Sequence, residues 1–81
     1  SDFKQALKIA EKDPEIHFYL ASAYSLSEEK DKAYKHLDLA VQYGLKNKDK
    51  IDTFEALAYV RIQDEYDAFK ENGYRIHEKP A

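Results

Sequence analysis

Two stretches of this chain repeat one pattern. FKQALKIA (Phe3 to Ala10) lies over AYKHLDLA (Ala33 to Ala40) without a gap, so that Leu7 meets Leu37, Ile9 meets Leu39 and Ala10 meets Ala40. A second pair interleaves with the first: YLASAYS and EALAYVR share Leu20-Ala21 with Leu57-Ala58. Self-similarity restricts a chain more than composition does, because each copy is a unit that can bury its apolar face only against its neighbours. The copies alternate B, A, B, A and are followed by a short end piece. That order predicts an all-α fold of about five helices, stacked as antiparallel hairpins.

Proline and glycine divide the chain at Pro14, Gly44, Gly73 and Pro80. The first segment, Asp2 to Lys12, carries Phe3, Leu7 and Ala10 on one helical stripe. Asp13 is placed to cap a second helix starting at Pro14, where the missing N–H costs nothing. This helix should reach Ser27, with Ile16, Leu20, Ala23 and Ser27 on one side and Tyr24 beside them. A third helix, Glu29 to Tyr43, turns Ala33, Leu37, Ala40 and Val41 inward and stops at Gly44. A fourth, Ile51 to Ile62, presents Phe54, Leu57, Ala58 and Arg61. Asp64 is the expected cap of a fifth helix, Glu65 to Asn72, with Tyr66 and Phe69 inward and Gly73 as its stop.

The centre of the second helix gives away volume: Leu20 is followed by Ala21, Ser22 and Ala23 before Tyr24. Small residues belong where two helix axes approach closely, with large neighbours filling the flanks, because interiors are close-packed. Ala21 and Ala23 opposite Ala33 and Ala40 would allow such an approach, flanked by Leu20, Tyr24 and Leu37.

These residues resemble the tetratricopeptide repeat (TPR) family. Leu20, Ala21 and Tyr24, then Ala33, Leu37 and Ala40, stand at the family's spacing for its first and second helices. The resemblance implies one domain over 1–81: a half repeat at 2–12, a full repeat at 14–45, a terminal variant repeat or cap at 49–73, and a tail at 74–81. It departs from the family at His17, which stands where a tryptophan is frequent, in lacking the glycine of the inner turn, and in a short first link. Residues Gly44, Leu57, Val60, Arg61, Tyr66 and Phe69 look like a variant ending found in bacterial repeat proteins, without that ending's acidic-proline pairs. The stack is then a right-handed superhelix whose fifth helix closes its exposed edge. Ser1 in place of a methionine reads as a segment of a longer repeat protein.

Little in the sequence points to catalysis or a cofactor. There is no cysteine, no Gly-rich phosphate loop and no nucleophile elbow. His17, His36 and His77 lack the helical spacing of metal ligands and read as structural or surface residues. A formal net charge of −3, with the charges mixed along the chain, argues against a phosphate-backbone partner. The apolar runs are too short for membrane insertion. The seven tyrosines serve either half-buried seams or binding surfaces; Tyr24, Tyr34 and Tyr66 read as packing, while Tyr19, Tyr43 and Tyr59 fit both. Arg61 is expected to pair with Asp64 or Glu65, or to lie over Tyr66.

In the family the first helix of each hairpin lines a concave surface that holds a peptide. Carried over, the groove residues are Glu15, Phe18, Ser22, Ser25 and Leu26, then Glu55, Tyr59 and Ile62. The expected function is protein–protein interaction, docking a peptide or helix of a partner in that groove without catalysis. The alternative is an architectural cap or spacer of a larger repeat protein, or weak homo-oligomerisation, with no ligand of its own.

Overall fold

A computed structural model describes residues 11–76. Most of the expected half repeat at 2–12 lies outside them, as do residues 77–81 of the tail, His77 included. Among the described residues the chain is all-α: α1 (Pro14–Leu26), α2 (Lys30–Gln42), α3 (Asp49–Thr53), a 3-10 turn (Glu55–Leu57), α4 (Ala58–Arg61) and α5 (Tyr66–Glu71). None of these is long and apolar enough to cross a membrane.

The helix ends follow from local chemistry. The Asp13 carboxylate accepts from the backbone N–H of Glu15 at 2.9 Å and of Ile16 at 3.3 Å, and Pro14 opens α1. Three helices close in the same way, with a left-handed residue (followed after α5 by a second, Tyr74 at φ 62°) and two backbone bonds that turn the chain back. At Gly44 (φ 97°) these are Leu45 N–H to Ala40 O at 2.9 Å and Gly44 N–H to Val41 O at 3.0 Å. Gly73 (φ 76°) does the same after α5. After α1 the position is taken by Glu28 at φ 59°.

Helices α1 and α2 form an antiparallel hairpin. Tyr24, late in α1, lies beside Lys32 early in α2, whereas His17 near the start of α1 meets Tyr43 just past the end of α2. Ala21, Ala33, Leu37 and Ala40 are fully buried in the core. The alanines thus sit where close packing requires small side chains.

The phase of α1 differs from the expectation. Its buried side is His17, Phe18, Ala21, Ser22 and Ser25, while Ile16 and Leu20 are each 38% exposed and Ala23 and Ser27 are exposed. This helix is apolar nearly all round, so periodicity alone does not select its inward arc. Contact with two neighbours, α2 and the segment Glu55 to Arg61, selects it instead.

The expected fourth helix is broken. Phe54 is extended (ψ 123°) and ends α3, so Ile51, Leu57 and Val60 enter the core while Phe54 and Ala58 stay exposed. Arg61 holds the break: its Nη1 donates to the carbonyls of Ile51 at 2.9 Å and Phe54 at 2.8 Å. This replaces the expected pairing with Asp64, Glu65 or Tyr66, because a broken helix leaves carbonyls in need of a donor. The α3–α4 segment runs parallel to α1. Lys50 pairs with Glu15 at 3.6 Å and Phe54 packs on Phe18 at 5.2 Å, offsets of 35 and 36 residues.

Two further corrections concern the end piece. The residue before α5 is Glu65, not Asp64, and no side chain caps that helix. The beginning of the expected tail is also held in place. Tyr74 is buried, Arg75 pairs with Asp38 and reaches Gln42, and the Ile76 N–H donates to Asp38 at 3.1 Å.

Candidate functional site

His17 and His36 meet between the helices of the hairpin. His17 Nδ1 lies 2.9 Å from His36 Nδ1, and their rings stack with Tyr43 on one side and Tyr24 on the other. His17 Nε2 is 2.5 Å from the Glu11 carbonyl. A carbonyl can only accept, so Nε2 carries the hydrogen and Nδ1 accepts from His36. Burial lowers the His36 pKa, helped by the nearby His17 and Lys35. Among the described residues no group of three or more histidine or carboxylate side chains could hold a metal ion.

A second polar cluster centres on Asp52. It accepts from the phenols of Tyr66 and Tyr74, the latter at 2.8 Å, and pairs with Lys70 at 3.1 Å. Desolvation works to raise the Asp52 pKa, but the hydrogen bonds from Tyr66, Tyr74 and Lys70 outweigh it and hold the carboxyl below its ordinary range. The Tyr74 phenol is pushed up to about 12, by burial first and then by the same carboxylate. The cluster joins α3, α5 and Tyr74.

The expected groove set divides. Phe18 is 2% exposed and lies in the core, and Ser22 and Ser25 are buried with it. These three are not surface residues, which corrects the expectation. Phe18 packs on Phe54 of the neighbouring segment, and the buried arc of α1 extends over the two serines as well. Ser22 Oγ donates to the Phe18 carbonyl at 2.9 Å, and Ser25 Oγ has no partner. Glu15, Leu26, Glu55 and Ile62 are exposed, and Tyr59 is half-buried with its hydroxyl donating to the Glu28 carbonyl at 3.3 Å.

The packing set is buried at Ala21, Ala33, Leu37, Ala40, Leu57, Tyr66 and Phe69, and half-buried at Tyr24 and Arg61; Leu20 alone is exposed.

One tyrosine that fitted both a seam and a binding surface, but was not in the groove set, is resolved as a surface residue. Tyr19 is 60% exposed, four residues after Glu15 and seven before Leu26, on their side of α1. Helical arithmetic from Glu15 would have found it. With Leu26 at 72% and Ile62 at 76% exposed, it makes three large apolar side chains on the parallel pair α1 and α4. Leu26 and Ile62 stand at the C-terminal ends of the two segments, 36 residues apart, the offset that also separates Phe18 and Phe54. Glu15, Lys50 and Glu55 provide charge near their N-terminal ends.

Comparison with protein-family models, characterised proteins and solved structures finds no significant match to this chain.

Proposed function

We propose that the chain is a protein–protein interaction module, the C-terminal part of a TPR-like stack of the bacterial type, acting without catalysis. The observation that carries this reading is the exposure of Tyr19, Leu26 and Ile62 on two parallel, adjacent elements. Large apolar side chains together on one surface mark a docking site. Docking rests on a preformed surface: the fully buried alanines and the Arg61 bonds fix the two segments before a partner arrives. A partner segment would lay apolar residues against Tyr19, Leu26 and Ile62, with Glu15 and Glu55 at the rim.

Selection of peptides from a random displayed library against the 81-residue chain tests this. Enriched sequences should share apolar anchors and lose binding to a Leu26→Ser, Ile62→Ser variant that melts like the parent. Equal retention by parent and variant would reject the groove. The architectural alternative has its own support in the Asp52 cluster and the Arg75–Asp38 pair, which secure the end of the stack. It predicts no enrichment at all.

A further inference from the structure

Away from α1, the beginning of α2, helix α5 and residues Arg75 and Ile76 enclose a cleft of about 340 Å³. Tyr34 and Phe69 form its floor, packed edge to face at 4.8 Å, and Ala68 and Ile76 supply apolar walls. Its volume is at the lower end of pockets that hold small ligands. Tyr34 is fixed by donating to the Val60 carbonyl at 2.8 Å, and the Arg75–Ile76 wall is fixed by Asp38. The cleft is therefore preformed.

Its rim is acidic, through Asp31 and Glu65. A shallower recess of about 290 Å³ shares Asp31 and adds Glu28, Glu29, Lys30, Lys32 and Tyr59. Within this surface Lys30 pairs with Glu65 at 3.0 Å and Lys32 with Glu29 at 3.3 Å. Arg75, the cleft's own cation, is taken by Asp38. Glu28 and Asp31 are left as carboxylates with no ion-pair partner among the described residues.

An apolar slot with a carboxylate outside any ion pair at its mouth is complementary to a long side chain with an apolar stem and a cationic end. We infer that this cleft is a second docking site, which takes a lysine or arginine side chain from an extended segment of a partner protein. The stem lies along Ala68 and Ile76, and the cationic end meets Asp31, with Glu28 extending the acidic track. The site is separate from the Tyr19, Leu26 and Ile62 surface and does not depend on that surface binding anything.

Three blocked tripeptides, Leu-Arg-Leu, Leu-norleucine-Leu and Leu-Glu-Leu, serve as probes in amide-resolved NMR titrations of the 81-residue chain. The arginine peptide should shift the amides of Asp31, Ala68 and Ile76 and bind most tightly, with the glutamate peptide weakest. Asp31→Asn should weaken the arginine peptide by roughly threefold, the scale of one exposed ion pair, and bring it level with norleucine without changing the melting temperature. Equal affinity of all three peptides, shifts confined to Tyr19, Leu26 and Ile62, or no binding would overturn the inference. A Leu26→Ser, Ile62→Ser variant should bind the arginine peptide like the parent, so failure of either surface is read separately.

Discussion

At the scale of single residues, two positions in the α1–α2 hairpin are less than optimal for stability. Glu28 adopts φ 59°, a conformation that costs a side-chain-bearing residue about 1–2 kcal/mol and glycine almost nothing. Glu28→Gly should raise stability by about 0.5–1 kcal/mol, after allowing for glycine's greater freedom in the unfolded chain. Urea denaturation reads this as a higher midpoint at unchanged slope; a lower midpoint would show that the Glu28 side chain contributes more than its backbone strain removes. Ser25 Oγ is buried without a partner, so Ser25→Ala should stabilise by about 1 kcal/mol. A destabilised variant would reveal a partner for that hydroxyl. The sequence made Gly44 and Gly73 legible as helix stops, since their residue type announces the backbone they permit. It hid Glu28, because nothing about a glutamate announces a left-handed turn. Ser25 was hidden as well, since a serine is as compatible with water as with a helix seam.

At the scale of elements, the existence of α1, α2 and α5 could be read from the Asp13 cap, the glycine stops and the apolar spacing, but their orientation and continuity could not always be. Helix α2 has a polar face, and its buried Ala33, Leu37 and Ala40 are the residues periodicity selects. Helix α1 lacks such contrast, so the stripe through Ile16, Leu20 and Ala23 was as consistent with sequence as the buried arc through Phe18, Ala21 and Ser25. The break at Phe54 depends on Arg61 reaching back to two carbonyls, an interaction seven to ten residues away that no local signal carries. Pairing between elements also sets a pH response. The His17–His36 bond joins α1 to α2, with Tyr24 and Tyr43 on either side, Lys32 beyond Tyr24, Lys35 nearby and the Glu11 carbonyl on Nε2. With the His36 pKa lowered on folding, the unfolded chain takes up the proton first as pH falls below the ordinary value of 6.5. The stabilisation is therefore complete above that value and lost as pH falls through the folded pKa. Thermal melts from pH 7.5 to 5 should show the parent losing a few degrees more than His36→Phe, which keeps the stack and cannot titrate. Parallel pH profiles would mean that the pair does not couple protonation to folding.

At the scale of the whole molecule, the repeated pattern indicated stacked hairpins, and the Lys50–Glu15 pair joins the second parallel element to α1 at an offset of 35 residues. What the pattern could not assign is which side of each element faces the next copy and which faces outward. That choice separates Phe18 from Leu26, both large and apolar, both eight residues or fewer from the small residues at the helix centre. Phe18 packs beneath Phe54 at 2% exposure, so Phe18→Ala should cost about 3–5 kcal/mol and, in a domain of this size, abolish most of the cooperative melt. Leu26 and Ile62 stand in solvent at 72% and 76%, so serine at both should change stability by no more than about 0.5 kcal/mol each. The two substitutions thus test different claims with one measurement. A collapse of Phe18→Ala beside an unchanged Leu26→Ser, Ile62→Ser variant means that the inner wall holds the stack together while the outer residues are free to bind. A large loss in the serine variant would place Leu26 or Ile62 in an intramolecular contact, and the groove would then have to be sought on another face of α1.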